Sequence, residues 1–168
     1  PAFRRGGLWS DARQSNLVDG GAPYFRCYAT KDGKYVSVGA IEPQFYANLV
    51  ACLGFDAQAL PDRSDPTNWP ELRERFAAVF ATRTRAEWEA AMAGREACFA
   101  PVLSIDEART HPQASDRGTF VTMDGLACPA PAPRLSETPG HFPRPAPEPG
   151  ADTQQVLADW AIAEARPR

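Results

Sequence analysis

The chain has 168 residues, and its 18 basic and 21 acidic side chains give a formal net charge of −3. That length suits one domain of ordinary size, and without a basic run the charge argues against binding to nucleic acid or to an anionic membrane. The four cysteines form no C-x-x-C pair and the two histidines are far apart in the sequence, so neither a disulfide framework nor a metal site is predicted.

The beginning of the chain predicts a connecting segment followed by a β-hairpin. Residues 1–22 are rich in arginine, glycine and aspartate, and Pro1 stands where a methionine would start a complete protein, so we expect a segment of a longer chain. Two aromatic and β-branched runs, 24–30 and 35–40, flank a turn that contains Asp32-Gly33. An Asp-Gly turn between two such runs is typical of a hairpin.

The hairpin leads directly into a predicted helix. Pro43 suits the first helical position, where its missing N–H costs nothing. Phe45, Leu49 and Leu53 then recur at four-residue intervals, and Gly54 is suited to end the helix. Glu42 therefore stands where an apolar strand ends and a helix begins.

Further local signals divide the middle of the chain into short helices and strands. One helix is predicted from Trp69-Pro70 and another from the capping box at 84–87. Residues 98–103 predict a short buried strand, and a second capping box at 104–107 predicts a short helix that ends before His111-Pro112. Residues 119–123 predict one more strand.

Proline dominates the next segment, where eight of the 17 prolines fall between Pro129 and Pro149. Such a composition favours an extended, semi-rigid strap that forms neither helix nor sheet. A last helix, which Asp152 or Thr153 would cap, is predicted beyond it, with an apolar face that needs a partner surface. That face comprises Val156, Leu157, Trp160 and Ile162.

Glu42 is the candidate site residue, with two interpretations open. The unpaired N–H groups and the dipole of the following helix favour a negative charge there, and reactive groups are often placed where a strand enters a helix. A simple capping carboxylate would occupy the same position. The aromatic residues of the hairpin also have two interpretations, since they could pack in the core or contact a ligand.

Several motifs in collinear order resemble the family III CoA-transferase (CaiB/BaiF-type) superfamily, and within it the racemases of 2-methylacyl-CoA thioesters. The resemblance covers nearly all of the chain from about residue 16 onward. The motifs are 32–46 (DGKYVSVGAIEPQFY), 69–72 (WPEL), 85–88 (RAEW), 97–103 (ACFAPVL), 117–120 (RGTF), 131–135 (PAPRL) and 152–157 (DTQQVL).

The resemblance implies an α+β chain that is part of a larger subunit. We expect 1–22 to link from a missing large domain, 23–125 to form a small two-layer α/β domain, 126–150 to be a Pro-rich linker, and 151–168 to be a helix that returns to the large domain. In this family two subunits interlock, so a homodimer is implied, with an active site shared between the large domain of one subunit and the small domain of the other.

The implied reaction is inversion at C2 of an acyl-CoA thioester, in which one base removes the α-proton and a second returns a proton to the other face. CoA is part of the substrate, and no cofactor, metal, membrane or nucleic acid is expected. Glu42 matches the family glutamate that hydrogen-bonds a catalytic histidine, and Ile41 and Tyr24 are weaker candidates for substrate contact. The family's Asp and His bases would lie before Pro1, so we expect the isolated chain to be inactive.

Two other functions stay open. A CoA-transferase of the same superfamily would move CoA between carboxylic acids through an aspartyl thioester, although the AIEPQ motif at 40–44 favours a racemase. A non-catalytic dimerisation module is the second alternative. The strong preference for arginine over lysine suggests a bacterial cytoplasmic setting.

Overall fold

The computed structural model describes residues 2–160, which form two compact units that divide between Ser104 and Ile105. Seven helices and five strands are described: α1 Ala2–Arg5, β1 Phe25–Ala29, β2 Tyr35–Gly39, α2 Pro43–Cys52, α3 Trp69–Phe80, α4 Arg85–Met92, β3 Phe99–Val102, α5 Ile105–Thr110, α6 Pro112–Asp116, β4 Phe120–Met123, β5 Leu126–Pro129 and α7 Thr153–Asp159. The predicted α+β class is confirmed.

The first unit is built on an antiparallel sheet with the strand order β1-β2-β3. The predicted hairpin is confirmed, and Gly33 at its tip has a φ of 72°, a left-handed conformation that glycine adopts without strain. Tyr28 pairs with Val36, and both are buried, whereas the neighbouring pair of Cys27 and Ser37 lies on the other face. The strands thus alternate between a core face and an outer face.

The core of the first unit is a cluster of aromatic rings between the sheet and the helices. The ring of Phe80 lies 4.9 Å from that of Tyr28 and 5.1 Å from that of Trp88, measured between centroids. Phe76 is fully buried and contacts Tyr28, Tyr46 and Phe55. Leu72, Phe76 and Phe80 recur at four-residue intervals in α3 and are all fully buried, so they form the face of this helix that packs into the core.

The strand predicted at 98–103 is present as β3, but it is not buried. Its residues alternate between half-buried and exposed, because β3 is the edge strand of the sheet and pairs with β2 alone among the described residues. The apolar character of 98–103 by itself does not distinguish an edge strand from a central one.

The second unit contains short helices, the β4–β5 hairpin and the proline-rich segment. The chain has neither helix nor strand from 130 to 152, as the prolines predicted. Arg134 fastens this segment to the turn after α6 by donating to the carbonyl oxygens of Arg117 and Gly118. The linker predicted at 126–150 begins with strand β5 at Leu126–Pro129, so its first residues have regular structure.

The last helix begins where the sequence predicted, but Asp152 does not cap it. Its carboxylate pairs with Arg144 instead. Val156 and Trp160 are 49% and 76% exposed, so the described residues leave about half of the first and most of the second uncovered. Ile162 lies outside the described residues.

No helix among residues 2–160 has both the length and the apolar composition needed to cross a bilayer. The described residues also hold no group of three His, Cys, Asp or Glu side chains suited to a metal ion, and all four cysteines are free thiols.

Candidate functional site

Glu42 stands at the junction of β2 and α2, as the sequence predicted. Its backbone is extended, with φ −69° and ψ 145°, and Pro43 takes the first helical position. The ten residues of α2 place the positive end of the helix dipole at Glu42, which favours a negative charge there. The side chain belongs to an exposed residue, so the carboxylate is open to a group from outside the described residues.

The capping interpretation of Glu42 is wrong, because the side chain accepts no capping hydrogen bond from α2. Other junctions of the first unit do use such bonds. Asp56 and Asp65 each accept one from a backbone N–H at 2.9 Å, and Thr84 forms a complete capping box with Glu87. The carboxylate of Glu42 is therefore free for another partner.

The backbone that carries Glu42 is held on two sides. The N–H of Ala40 donates to the carbonyl oxygen of Tyr24 at 2.9 Å, which continues the pairing of β1 and β2. The guanidinium of Arg63 donates to the carbonyl oxygens of Ala40, at 3.3 Å, and of Ile41, at 2.9 Å. Both residues that precede Glu42 are thus fixed, while its side chain remains free.

Cys98 lies at the same end of the sheet. Its carbonyl oxygen accepts from the N–H of Gly39 at 2.9 Å, and its φ of 46° is a left-handed conformation that few non-glycine residues adopt. Desolvation, together with the negative charges of Glu42 and Glu96, raises the pKa of the Cys98 thiol. This thiol is therefore held in its neutral form close enough to Glu42 to respond to its charge.

An open groove runs from Cys98 across the outer face of the sheet. Its lining includes Phe25, Cys27, Ser37 and Gly39, which carry no charge, and one charged side chain, Arg26. The end of the groove at Cys98 lies within electrostatic range of the exposed carboxylate of Glu42.

The two weaker candidates occupy different surroundings. Ile41 is half-buried beside Glu42. Tyr24 is only 6% exposed, and its ring packs against Tyr46 and Trp69 at centroid distances of 5.6 and 6.5 Å. The ring of Tyr24 is thus part of the core, whereas its neighbour in the sequence, Phe25, faces the groove.

The two histidines do not join this site within the first unit. His111 precedes α6 and His141 lies in the proline-rich segment, so both belong to the second unit. Residues 1–104 contain no histidine. An imidazole partner for Glu42 is therefore not supplied by the unit that carries it.

Sequence reasoning missed Arg63 and the conformation of Cys98. Arg63 is one of sixteen arginines and lies in a turn rich in aspartate, which looks like an ordinary solvated loop. Its distance of more than twenty residues from Ala40 conceals the contact, and no periodicity signals it. The left-handed backbone of Cys98 also has no sequence signal, because glycine or asparagine would be the usual residue.

Comparisons with known proteins agree on one family. The family model for CoA-transferase family III matches residues 8–153. An alpha-methylacyl-CoA racemase of Mus musculus is 43% identical over 161 residues, which cover 94% of this chain and 42% of the mouse protein. The corresponding racemase of Homo sapiens is 40% identical over 159 residues, covering 93% of this chain and 41% of the human protein.

A solved structure shows the same fold. The crystal structure of Rv3272 from Mycobacterium tuberculosis superposes with a TM-score of 0.60 at 17% identity, covering 77% of this chain and 37% of that protein. The chain thus spans about two fifths of the length of the racemases it matches.

Proposed function

Because the chain belongs to CoA-transferase family III, we propose that it is the C-terminal part of an acyl-CoA racemase that epimerises 2-methylacyl-CoA thioesters. The longer protein is called the parent enzyme below. The observation that carries this proposal is the exposed carboxylate of Glu42, which caps no helix although it stands at a helix N-terminus. The identity of 40–43% to two named racemases supports the choice of reaction.

In this proposal Glu42 orients an imidazole that the rest of the parent enzyme supplies. The carboxylate accepts a hydrogen bond from one ring nitrogen, which fixes the tautomer and the direction of the other nitrogen. One base then removes the proton from C2 of the thioester and leaves an enolate. The conjugate acid of a second base returns a proton to the opposite face, so the configuration inverts and no atom is lost.

The groove beside Cys98 supports an acyl substrate. Its lining includes the ring of Phe25 and the small side chains of Cys27 and Ser37, which suit a hydrocarbon chain, beside the charged Arg26. We assign the acyl chain to this groove and propose that Ile41, next to Glu42 in the chain, also contacts the substrate. No small-molecule cofactor is assigned.

The proposal is tested by replacing Glu42 in the parent enzyme. In Glu42→Gln we expect kcat for exchange of the α-proton with deuterium to fall about a hundredfold, because a badly oriented base loses most of its contribution. KM should change little. The matched control is Glu71→Gln, which removes an exposed carboxylate from the first turn of α3 and should leave kcat unchanged.

Full activity of Glu42→Gln would contradict the proposal. The isolated 168-residue chain provides a second experiment. We expect it to catalyse no exchange of the α-proton, since the two bases that transfer the proton would be missing. Exchange catalysed by that chain alone would contradict the division of the active site between two parts.

The family name favours a second candidate, transfer of CoA between carboxylic acids. The two reactions differ in their need for an acceptor. A racemase exchanges the α-proton of an acyl-CoA without any free acid, whereas a transferase needs a carboxylic acid to accept CoA. Incubation of the parent enzyme with acyl-CoA alone, and then with an added free acid, separates them. A non-catalytic dimerisation module would show neither reaction in the parent.

A further inference from the structure

Arg63 is the residue outside the predicted site that has the closest connection to it. It lies in the loop before α3, and one terminal nitrogen, Nη1, donates to the carbonyl oxygens of Ala40 and Ile41. These are the two peptide groups immediately before Glu42. The sheet has ended at this point, so neighbouring strands do not satisfy these two carbonyls, and the guanidinium takes their place.

Two aromatic rings hold the guanidinium in that position. Its central carbon lies 4.9 Å from the ring centroid of Tyr24 and 4.4 Å from that of Tyr46. Tyr24 comes from the segment before β1, and Tyr46 lies one helical turn after Glu42, where its N–H donates to the Glu42 carbonyl oxygen at 3.0 Å. The same guanidinium therefore touches the strand side and the helix side of the junction.

The backbone of Arg63 is fixed as well. Its carbonyl oxygen accepts from the indole Nε1 of Trp69 at 2.8 Å, and Trp69 is itself buried against Tyr24. Burial raises the pKa of both Tyr24 and Tyr46, although the charge of Arg63 acts in the opposite direction. Both phenols therefore stay neutral, and their electron-rich faces attract the cation.

We propose that Arg63 is a positioning residue that fixes the backbone from which the Glu42 carboxylate extends, by clamping the two peptide groups before it. This inference rests on the role of Glu42 in the proposed function. Both hydrogen bonds come from one nitrogen, as a lysine ammonium could also provide, but only the flat guanidinium of an arginine can pack against the two rings at the same time. Loss of the clamp leaves Glu42 exposed on a backbone that can shift, so its carboxylate no longer starts from a fixed position.

The test uses Arg63→Met and Arg63→Lys in the parent enzyme. We expect kcat for α-deuterium exchange to fall about tenfold in Arg63→Met, because a small displacement of an orienting group weakens the base it holds. KM should stay within about twofold of its original value, since the clamp does not contact the substrate. Arg63→Lys keeps the charge and its hydrogen-bond donors but loses the flat surface that packs on Tyr24 and Tyr46, so its kcat should lie between those of Arg63→Met and the unchanged enzyme.

Two readouts separate positioning from mere stability. If Arg63 acts through Glu42, Arg63→Met should cause less than about a twofold further loss in the Glu42→Gln background, because coupled residues are not additive. The acidic limb of the pH–kcat profile should also move to lower pH in Arg63→Met. A well-placed carboxylate raises the pKa of the imidazole it contacts, and the variant loses part of that effect.

The matched control is Arg83, another arginine over an aromatic ring. Its central carbon lies 4.8 Å from the ring centroid of Trp88. Arg83 also lies near the hairpin tip, where its carbonyl oxygen accepts from the N–H of Lys31, so it is a strand length away from Glu42. Arg83→Met should keep kcat and the pH profile unchanged, even where it lowers the melting temperature.

The outcomes are distinguishable. Arg63→Met with unchanged kcat, beside an impaired Glu42→Gln, would overturn the clamp alone. If the losses in kcat from Arg63→Met and Glu42→Gln multiply in the variant that carries both, the clamp would be overturned too, since the two residues would then act independently. An active Glu42→Gln would overturn the proposed function first. If Arg63→Met fails to fold, the comparison of Arg63→Lys with Arg83→Lys decides by the same criteria.

Discussion

The two compact units of this chain bury apolar side chains to very different extents. The first unit packs Tyr28, Phe76, Phe80 and Trp88 into one continuous core. Within 105–160, Ala114 is the one buried residue. The first unit therefore derives its stability from its own core, whereas the second has little buried apolar area to oppose its conformational entropy.

This difference agrees with the placement of the candidate site. A carboxylate that orients another group needs a rigid support, and Glu42 is attached to the unit with the aromatic core. The second unit exposes Val156 and Trp160 near its described end. Such exposed apolar residues on a helix are typical of a surface that another part of a protein covers.

The largest expected effect that tests this comparison is the change in the free energy of unfolding when one aromatic ring is removed from each unit. Phe76→Ala should lower the free energy of unfolding by about 3–5 kcal/mol, because it removes a fully buried ring that touches three others. Phe142→Ala should change it by less than about 0.5 kcal/mol, since Phe142 is 45% exposed. Urea denaturation followed by near-ultraviolet circular dichroism measures both. Equal losses would show that the second unit is stabilised as strongly as the first.

An alkaline transition is the next expected effect, and it also belongs to the first unit, which holds all four tyrosines. Tyr28 is buried and its hydroxyl donates to the carbonyl oxygen of Pro23 at 2.6 Å. Burial raises its pKa well above that of an unfolded tyrosine. A raised pKa in the folded state contributes stability that is complete below about pH 10 and is lost as the pH rises further.

Tyr28→Phe separates the two parts of this effect. At neutral pH the variant should be less stable by about 1 kcal/mol, since it lacks the hydrogen bond to Pro23. Above about pH 10 its stability should decline less steeply than that of the unchanged chain. Tyr24 and Tyr46 have raised pKa values too and should leave some slope. An identical pH dependence for both proteins would contradict the assignment to Tyr28.

The smallest expected effects compare two helix starts. Thr84→Ala should cost about 1 kcal/mol, because Thr84 forms a complete capping box with Glu87 at the start of α4. Asp152→Ala should leave the unfolding midpoint unchanged, since Asp152 makes no capping bond and its pair with Arg144 is exposed. Thermal unfolding of the two variants checks this. A larger loss for Asp152→Ala would show that the strap and α7 contribute to the stability of the chain.

The sequence alone determined most of the elements of the first unit. The Asp-Gly turn, the proline after Glu42 and the capping box at Thr84 are local signals, and each depends on a few adjacent residues. The same holds for the absence of regular structure from 130 to 152, since proline restricts its own backbone. The position of Glu42 at the strand–helix junction could be predicted for the same reason, because the signals on both sides of it are local.

Only the tertiary structure decided what surrounds that junction. Whether Glu42 caps its helix depends on the direction of its side chain, and the structure shows that it does not. The clamp by Arg63 joins residues more than twenty positions apart, and Tyr24 is buried because Trp69 and Tyr46 cover it. Contacts between distant residues depend on the packing of whole elements, so no local pattern encodes them.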